Sequence, residues 1–389
     1  MLYKNHLLIA LLSLVIFSCK APEEEMGPAD PNGINPIALS GGLSTIHPDS
    51  DEFPATASVN VVLADLPYES LDDYNFFIGA NMADLIPNEG LLLYEPITQL
   101  FTDYAKKTRY VWMPEGVSAN YISDFESFDF PDGAILIKNF FYDNALPNNQ
   151  RKVMETRLLF KRNGEWEFAD YIWNDEQTEA LFDLSGEEKP ITVVLDNGET
   201  LSINYRIPSE AECLTCHKRN EIPSPNGPKP QNLNADLEYQ DGIMNQLMKW
   251  AEMGYLAPTY PSEIETMVNW EDETELLQDR VRAYLDANCG HCHQDGAHCS
   301  YRNIRLSFEE NDRDDKIGIC IPFDEFVPNQ PSSLEYIIES GNAENSMLIY
   351  RMLSEEENVQ MPLIGKSVIH EEGLELLTTY INSLEEICN

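Results

Sequence analysis

Two copies of the pattern Cys-x-x-Cys-His carry the chemistry that the sequence shows most plainly. The first spans residues 213–217 and the second spans residues 289–293. Two thiols three residues apart can add to the two vinyl groups on one edge of a porphyrin, and the next residue then places an imidazole under the iron. The sequence therefore predicts two covalently bound c-type haems. The predicted thioether positions are Cys213, Cys216, Cys289 and Cys292, and the predicted iron ligands are His217 and His293.

Paired cysteines also occur in zinc sites and in redox-active disulfides. A zinc framework usually brings its second cysteine pair within about 15–20 residues of the first. Here the two pairs are much further apart, and each is followed by a histidine. We therefore favour haem, with zinc-binding or redox-active thiols as the alternative.

One loop offers a sixth ligand for the second iron. Met361 is followed by Pro362, which favours an extended backbone at the preceding residue, and a helical pattern begins shortly afterwards. Methionine opposite histidine is a known ligand pair of haem iron and raises the reduction potential. Met347 and Met352 fall on a helical pattern and are expected in the core. We predict Met361 as the ligand.

The sixth ligand of the first iron stays open. The nearby methionines lie on or near a predicted helix, where packing in the core is the more usual role, and three histidines have no supporting pattern. These candidates are Met244, Met248, Met253, His47, His298 and His370. An empty sixth position would let the first haem bind a small molecule or peroxide, whereas a filled one mostly passes electrons.

The elements that must position these groups change character along the chain. Alternating apolar residues predict strands before the first motif, and two Asn-Gly pairs predict tight hairpin turns. The predicted strands are Gly133–Tyr142, Glu155–Phe160, Glu165–Trp173, Ile191–Leu195 and Thr200–Tyr205, with turns at Asn163-Gly164 and Asn197-Gly198. After Cys213 the apolar period becomes helical. The predicted helices are Asp241–Met253, Glu275–Asn288 and Glu371–Leu384, with shorter pieces at Ser333–Glu339 and Asn345–Leu353.

These patterns predict an α+β multidomain protein. Residues 59–270 would form a β-rich domain that ends in the first haem motif and a trailing helix. Residues 271–389 would form a mostly α-helical domain around the second haem. The sequence does not decide between a β-sandwich and a curved sheet covered by helices.

The N-terminal residues predict export and a lipid anchor. Residues 1–18 have a basic start, an apolar run and a small residue at the end, which is the order of a secretory signal peptide. The segment around Cys19 looks like a bacterial lipoprotein processing site, in which Cys19 becomes the acylated first residue; a plain cleaved signal peptide is the alternative. Residues 19–58 are rich in proline and glycine and predict a flexible tether. We expect an outer-membrane lipoprotein of the cell envelope, facing the periplasm or the cell surface.

The charge balance limits the choice of partner. The 389 residues include 25 Lys+Arg and 67 Asp+Glu, for a formal net charge of −42. Such a surface repels phosphate backbones and anionic lipids, so we expect no nucleic-acid partner and membrane contact only through the anchor at Cys19. A cationic redox partner protein suits it better.

Three cysteines lie outside the motifs. In an oxidising compartment a bridge between Cys299 and Cys320 would contribute about 3 kcal/mol. Pairing of Cys320 with Cys388 is the alternative, and the sequence does not choose between them.

The chain resembles a family of exported dihaem c-type cytochromes from bacterial envelopes, most of them without an assigned role. The matching segments are Phe130–Gly133, Glu155–Leu159, Tyr171–Asn174, Arg206–Ser209, Gln231–Asn234, Ala287–Cys289, Ser346–Arg351 and Met361–Leu363. The resemblance implies two haems but no settled reaction. The order of the second motif, the Met-Pro loop and the late helix is similar to class I cytochrome c, in which the first and last helices cross and a loop methionine binds the iron.

A weaker resemblance concerns the β-rich region, which is similar to small β-sheet cytochromes that include hydroxylamine-oxidising enzymes and gas-binding relatives. The enzymatic members attach a lysine to haem, and Lys138 is the position to examine here. A solvated surface lysine is the ordinary alternative.

Three functions remain for the structure to weigh. The first is an envelope-tethered cytochrome that transfers electrons. The second is a haem enzyme, peroxidase-like or oxidising a small nitrogen compound, with an open first haem and the second haem as electron relay. The third is a β-rich region that binds a partner or polymer.

Overall fold

The computed structural model describes residues 58–385 and 387–388. They form a mixed fold of strands and helices, which confirms the α+β prediction at that level. The predicted signal peptide, Cys19, His47 and nearly all of the predicted tether lie outside the described residues. Within residues 58–385 and 387–388, no helix is both long enough and apolar enough to cross a bilayer. The division into two domains at residue 270 stays a prediction.

Fourteen strands are present in the described residues. The first ten are β1 (Phe77–Ile78), β2 (Ile86–Pro87), β3 (Leu92–Leu93), β4 (Lys106–Trp112), β5 (Ile135–Ala145), β6 (Gln150–Arg162), β7 (Glu165–Trp173), β8 (Ala180–Phe182), β9 (Glu187–Val194) and β10 (Thr200–Ile207). Four short strands follow, β11 (Lys218–Arg219), β12 (Ile222–Pro223), β13 (Asp236–Tyr239) and β14 (Gly242–Asn245). All five predicted strands are therefore confirmed, whereas β4 was missed.

Strands β3 to β10 form one antiparallel sheet of eight strands. Its main order is β10-β9-β5-β6-β7-β8, and β4 pairs with both β5 and β3. Strand β5 pairs with β6 along one edge, so β4 and β9 share the other edge, where Ala145 meets Val193. The turn at Asn163-Gly164 has positive φ at both residues, as a tight hairpin requires.

Alternation along the strands gives the sheet two different faces. On the outer face Tyr110, Ile137 and Trp173 belong to a continuous apolar core with the N-terminal segments of the described chain. The inner face carries Leu136 and Phe140, which belong to two separate apolar clusters, with charged side chains between them in the register. Charged residues therefore occupy the middle of an otherwise apolar surface.

Six helices complete the described fold. They are α1 (Glu210–Cys216), α2 (Gln246–Glu252), α3 (Leu277–Leu285), α4 (Asp314–Ile317), α5 (Met347–Leu353) and α6 (Glu371–Ser383). The predicted helices at 275–288, 345–353 and 371–384 are thus confirmed with shorter ends. The first turn predicted for 241–253 is wrong, because Asp241 and Gly242 lie at the β13–β14 turn and the Asn245 side chain caps α2.

Two other expectations about local structure are corrected. Residues 333–339 are not helical, because Tyr336 and Ile338 instead bridge to the backbone of Pro322 and Ile319. Met248 and Met253 do not pack in the core either, since their exposed fractions are 57% and 41%.

A disulfide joins Cys320 to Cys388 across a sequence separation of 68 residues. This is the second of the two pairings that the sequence left open. Cys299 is a buried free thiol, so the Cys299–Cys320 bridge is not formed.

Helices α3 and α6 pack against each other at a glycine. Val281 and Leu285 of α3 share a core with Leu377 and Ile381 of α6. A Cβ atom on Gly373 would lie 2.2 Å from Tyr284 Oη, so these helices approach as closely as they do because residue 373 has no side chain.

We expect Gly373→Ala to destabilise the protein by about 1–3 kcal/mol, because the added methyl group overlaps the Tyr284 ring. Urea unfolding measures the change in free energy. The matched control is Glu375→Ala on the exposed side of the same helix, which should stay within about 0.5 kcal/mol of the wild type. Equal stability of the two variants would show that the crossing tolerates a side chain.

Candidate cofactor site

The first motif is built on α1, which begins directly after the last strand of the sheet. A capping box starts this helix: the Glu212 side chain accepts hydrogen bonds from the backbone N–H and hydroxyl of Ser209 at 2.8 and 2.9 Å. Cys213 and Cys216 are three residues apart on α1 and therefore share a face. His217 ends the helix, and its backbone N–H donates to Cys213 O at 2.9 Å.

The second motif follows α3 through one π-helical turn, Asp286–Gly290, which carries Cys289. The backbone N–H of His293 donates to Cys289 O at 3.0 Å, so this motif also curls into a helical turn. The Asn288 side chain accepts from Phe101 N at 2.8 Å, which attaches the turn to the chain before β4. Gly290 lets the turn pack closely, because a Cβ there would lie only 3.0 Å from Leu306 O.

The fold brings the two motifs into contact. The thiols of Cys216 and Cys292 and a ring nitrogen of His291 lie within 4.8 Å of one another. The Cys292 thiol also donates to Thr215 O at 3.8 Å. One cysteine of each motif therefore lies beside a cysteine of the other, a contact that no local pattern predicts.

The loops after the motifs hold this contact in place. Asn220 N–H donates to Gly296 O at 2.8 Å, and Arg219 Nε donates to Asp295 O at 3.1 Å. The Arg219 guanidinium also binds both carboxylate oxygens of Glu126 at 2.7 and 2.8 Å. The turn after the first motif is thus fastened to the turn after the second.

A cavity of about 340 Å³ opens beside the second motif. Its wall includes residues from both motifs and three methionines. These are Cys216, Cys289, Cys292, His293, Met347, Met352 and Met361. Met361 N–H donates to Arg351 O at 3.0 Å, which ties the Met-Pro loop to α5. The predicted ligands His293 and Met361 therefore line the same cavity. Met347 and Met352 line it too. Met347 is also buried in the core, as expected.

A polar atom inside this region lacks a partner. His293 has an exposed fraction of 9%, and its Nδ1 is buried without a hydrogen bond among the described residues. Burial lowers the pKa of His293 to about 4 and that of His217 to about 4, so both rings are held neutral. Neutral imidazole is the form that binds a metal. The donor set of the second motif, its cavity and this unpaired nitrogen fit an iron porphyrin.

The first motif lies against the inner face of the sheet. The His217 ring stands 5.6 Å from the Phe168 ring on β7, and its Nδ1 contacts Ser224 O at 3.2 Å. Lys138 and Arg157 are electrostatic neighbours of His217. Lys138 is half-buried here, with its ammonium 4.7 Å from the Phe140 ring centre, so the alternative of a solvated surface lysine is wrong.

A larger cavity of about 740 Å³ lies on the other side of an aromatic wall. Lys107 and Arg109 of β4 line it together with Tyr94, Trp270 and His370. His370 also lines the 340 Å³ cavity, where its ring stacks on Phe101 at 4.0 Å. His370 thus separates the two cavities, whereas the other described histidine candidate, His298, is exposed.

Comparison of the chain with known proteins found no significant similarity. The chain matches no known protein family, and none of the curated proteins or solved structures is significantly similar to it.

Proposed function

We propose that this protein is a dihaem c-type cytochrome that transfers electrons in the bacterial cell envelope. The observation that carries the proposal is the meeting of the two motifs, in which Cys216 and Cys292 lie side by side. If each cysteine held its own haem, the two haems would be attached at neighbouring positions. Haem iron supplies reversible one-electron chemistry, and its neighbours tune the potential.

The residues of the chain have distinct tasks in this proposal. Cys213, Cys216, Cys289 and Cys292 attach the two haems, and His217 and His293 bind the irons. Met361 would supply a further ligand of the second iron, as in the class I-like domain proposed for residues 271–389. The His293 imidazole, with an exposed fraction of 9%, is largely shielded from water.

Location and partner belong to the same proposal. Cys19 would anchor the protein to the outer membrane by its acyl chains, and residues 19–58 would give the folded part reach. A surface with a net charge of −42 would steer a cationic redox protein toward the haems.

A metal ion held by thiols is the competing use of the same cluster. Cys216, His291 and Cys292 could bind zinc, because they supply two sulfurs and one nitrogen at short range. Haem attachment consumes these two thiols, so the two uses exclude each other.

A haem enzyme is a second candidate, and the surroundings of His217 are the observation that supports it. The inner face of the sheet offers Lys138 and Arg157 near this imidazole. Met248 and Met253 are largely exposed, whereas Met244 is half-buried. An iron on His217 that none of these methionines binds would keep a position free for a small substrate, and the second haem would act as the relay.

Protein exported from a host that matures c-type cytochromes should carry two haems. Peptide mass mapping should find one haem on the peptide with Cys213 and Cys216 and one on the peptide with Cys289 and Cys292. Cys299 should then be alkylated after denaturation, and the control Cys299→Ser should keep both haems. Colourless protein with all five thiols alkylated and bound zinc would contradict the proposal.

Replacing Met361 with alanine should remove the sulfur ligand of the second iron. We expect its ferric form to change from low to high spin in electron paramagnetic resonance and its midpoint potential to fall, since methionine ligation raises the potential. Met352→Ala is the control, because Met352 lines the same cavity. If Met352→Ala alone produced these changes, the assigned ligand would be wrong.

Exogenous ligands separate the carrier from the enzyme. For an enzyme, carbon monoxide should change the spectrum of the reduced first haem, or cyanide that of its oxidised form, while the second haem stays unchanged. If neither ligand alters either haem in either oxidation state, the enzyme candidate fails and electron transfer remains.

A further inference from the structure

Two acidic side chains are buried next to each other on the inner face of the sheet. Asp170 on β7 pairs in register with Arg157 on β6, and Glu155 stands two residues before Arg157. Residues two apart on a strand share a face, so these three side chains lie on the same side of the sheet. The exposed fractions of Glu155 and Asp170 are 0% and 1%. Both carboxyl groups are therefore out of contact with water.

One guanidinium serves both carboxyl groups. Arg157 donates to Glu155 at 2.5 and 2.7 Å, whereas its Nε lies 3.8 Å from Asp170 Oδ2. Tyr205 donates a further hydrogen bond to Glu155 at 2.6 Å. Within residues 58–385 and 387–388, neither side-chain oxygen of Asp170 has a hydrogen-bond donor. Glu155 thus takes the available donors, and the neighbour that remains for Asp170 is the Glu155 carboxyl group.

The balance of charge in this cluster requires a proton. Two ionised carboxylates beside one guanidinium would leave one uncompensated negative charge buried in the sheet, which is costly. Two neighbouring carboxylates repel each other, whereas a carboxylic acid can donate its proton to the carboxylate beside it. One proton between Glu155 and Asp170 therefore neutralises the cluster and supplies the hydrogen bond that Asp170 otherwise lacks.

The surroundings decide which carboxyl group carries the proton. Burial, and then the charge of Glu155, holds the pKa of Asp170 well above its usual range. Burial acts on Glu155 as well, but the charge and hydrogen bonds of Arg157 outweigh it and lower the pKa of Glu155. Asp170 is thus the neutral member of the pair. The other titratable or charged groups that face the cluster are Lys138 and Tyr142 on β5, Tyr205 on β10 and Cys213 on α1.

The cluster lies close to the first motif. Arg157, Asp170 and Glu155 all act electrostatically on the buried thiol of Cys213. A change of charge at this motif therefore changes the affinity of the cluster for its proton, and by thermodynamic linkage the proton changes the charge equilibrium to the same extent. At an effective dielectric constant of about 20, a unit charge about 12 Å away shifts such an equilibrium about tenfold.

We propose that Asp170 and Glu155 together bind one proton and release it to water when the haem joined to Cys213 and Cys216 is oxidised. The inference rests on the proposed function. On oxidation one electron leaves for the redox partner and the O–H bond of Asp170 breaks; on reduction the electron and the proton both return. Arg157 is only half-buried and gives the cluster a side toward solvent. The protein thereby couples proton transfer to electron transfer.

Infrared spectroscopy of the exported protein tests whether the proton is present. At neutral pH the wild type should show the C=O stretch of a buried carboxylic acid. Asp170→Asn should lose this band. Glu155→Gln should lose it as well, because Asp170 would then ionise beside Arg157. The matched control is Glu165→Gln, which removes an exposed carboxyl group from the same strand and should keep the band.

Redox titration at several pH values tests the coupling. At a fixed potential the oxidised-to-reduced ratio of the first haem should rise about tenfold in total with pH, because loss of the proton leaves a negative charge that favours ferric iron. Asp170→Asn and Glu155→Gln each keep one carboxylate beside Arg157, so both should show the low-pH ratio at every pH. Glu165→Gln should follow the wild type. The second haem, identified by its response to Met361→Ala, should be the same in all four proteins.

Two outcomes would overturn the inference without touching the proposed function. One is a wild type with two haems but no carboxylic acid band that depends on Asp170. The other is a first haem whose ratio is independent of pH, or whose pH dependence survives in both Asp170→Asn and Glu155→Gln and so belongs to another group. Wild-type protein without haem would instead contradict the proposed function itself.

Discussion

The contact between the two turns that follow the motifs is the constraint on which the site depends. Asn220 N–H donates to Gly296 O, and Gly296 has φ +76°. A Cβ on Gly296 would lie 2.3 Å from Asn220 Oδ1, and the positive φ also favours glycine there. The turn with Asn220 follows the eight-stranded sheet and α1, and the turn with Gly296 follows α3. Together with the Arg219–Asp295 contact, the hydrogen bond between these turns holds two cysteine motifs that start 76 residues apart in sequence at a defined separation.

Buried charge is the second organising feature. Most of the inner sheet face is apolar, yet Glu155, Arg157 and Asp170 stand in its middle with Tyr205 donating to Glu155 at 2.6 Å. Burial, and then the charge of Glu155, holds the pKa of Asp170 well above its usual range. Such a network is expensive to desolvate and specifies a single arrangement only when its members are satisfied. It belongs to the part of the sheet on which the first motif lies.

The sequence predicts those strands and helices that are determined by the pattern of residues close together in the chain. The five strands around the hairpins follow from alternation, and α6 follows from a clear apolar period. Strand β4 was missed because Lys106, Lys107 and Arg109 interrupt its alternation, and those charged residues face into or beside the larger cavity. The charged residues that hid the strand are thus residues that line the larger cavity.

Contacts between distant segments could not be predicted in the same way. No local sequence pattern indicates that Cys216 lies near Cys292 or that Cys320 pairs with Cys388. Each of these contacts joins parts of the chain that are far apart in sequence. The cysteine motifs themselves predict attachment chemistry by spacing alone, but where the attached groups lie relative to each other is a property of the fold.

The Cys320–Cys388 bond closes a covalent ring that contains α5, the Met361 loop and α6. One backbone cut inside this ring leaves both fragments joined through sulfur. A protease that cleaves the chain at the exposed residues Glu355–Glu357, just before Met361, would therefore nick the protein without releasing the segment that lines the cavity with His293. The disulfide thus protects the protein against loss of that segment.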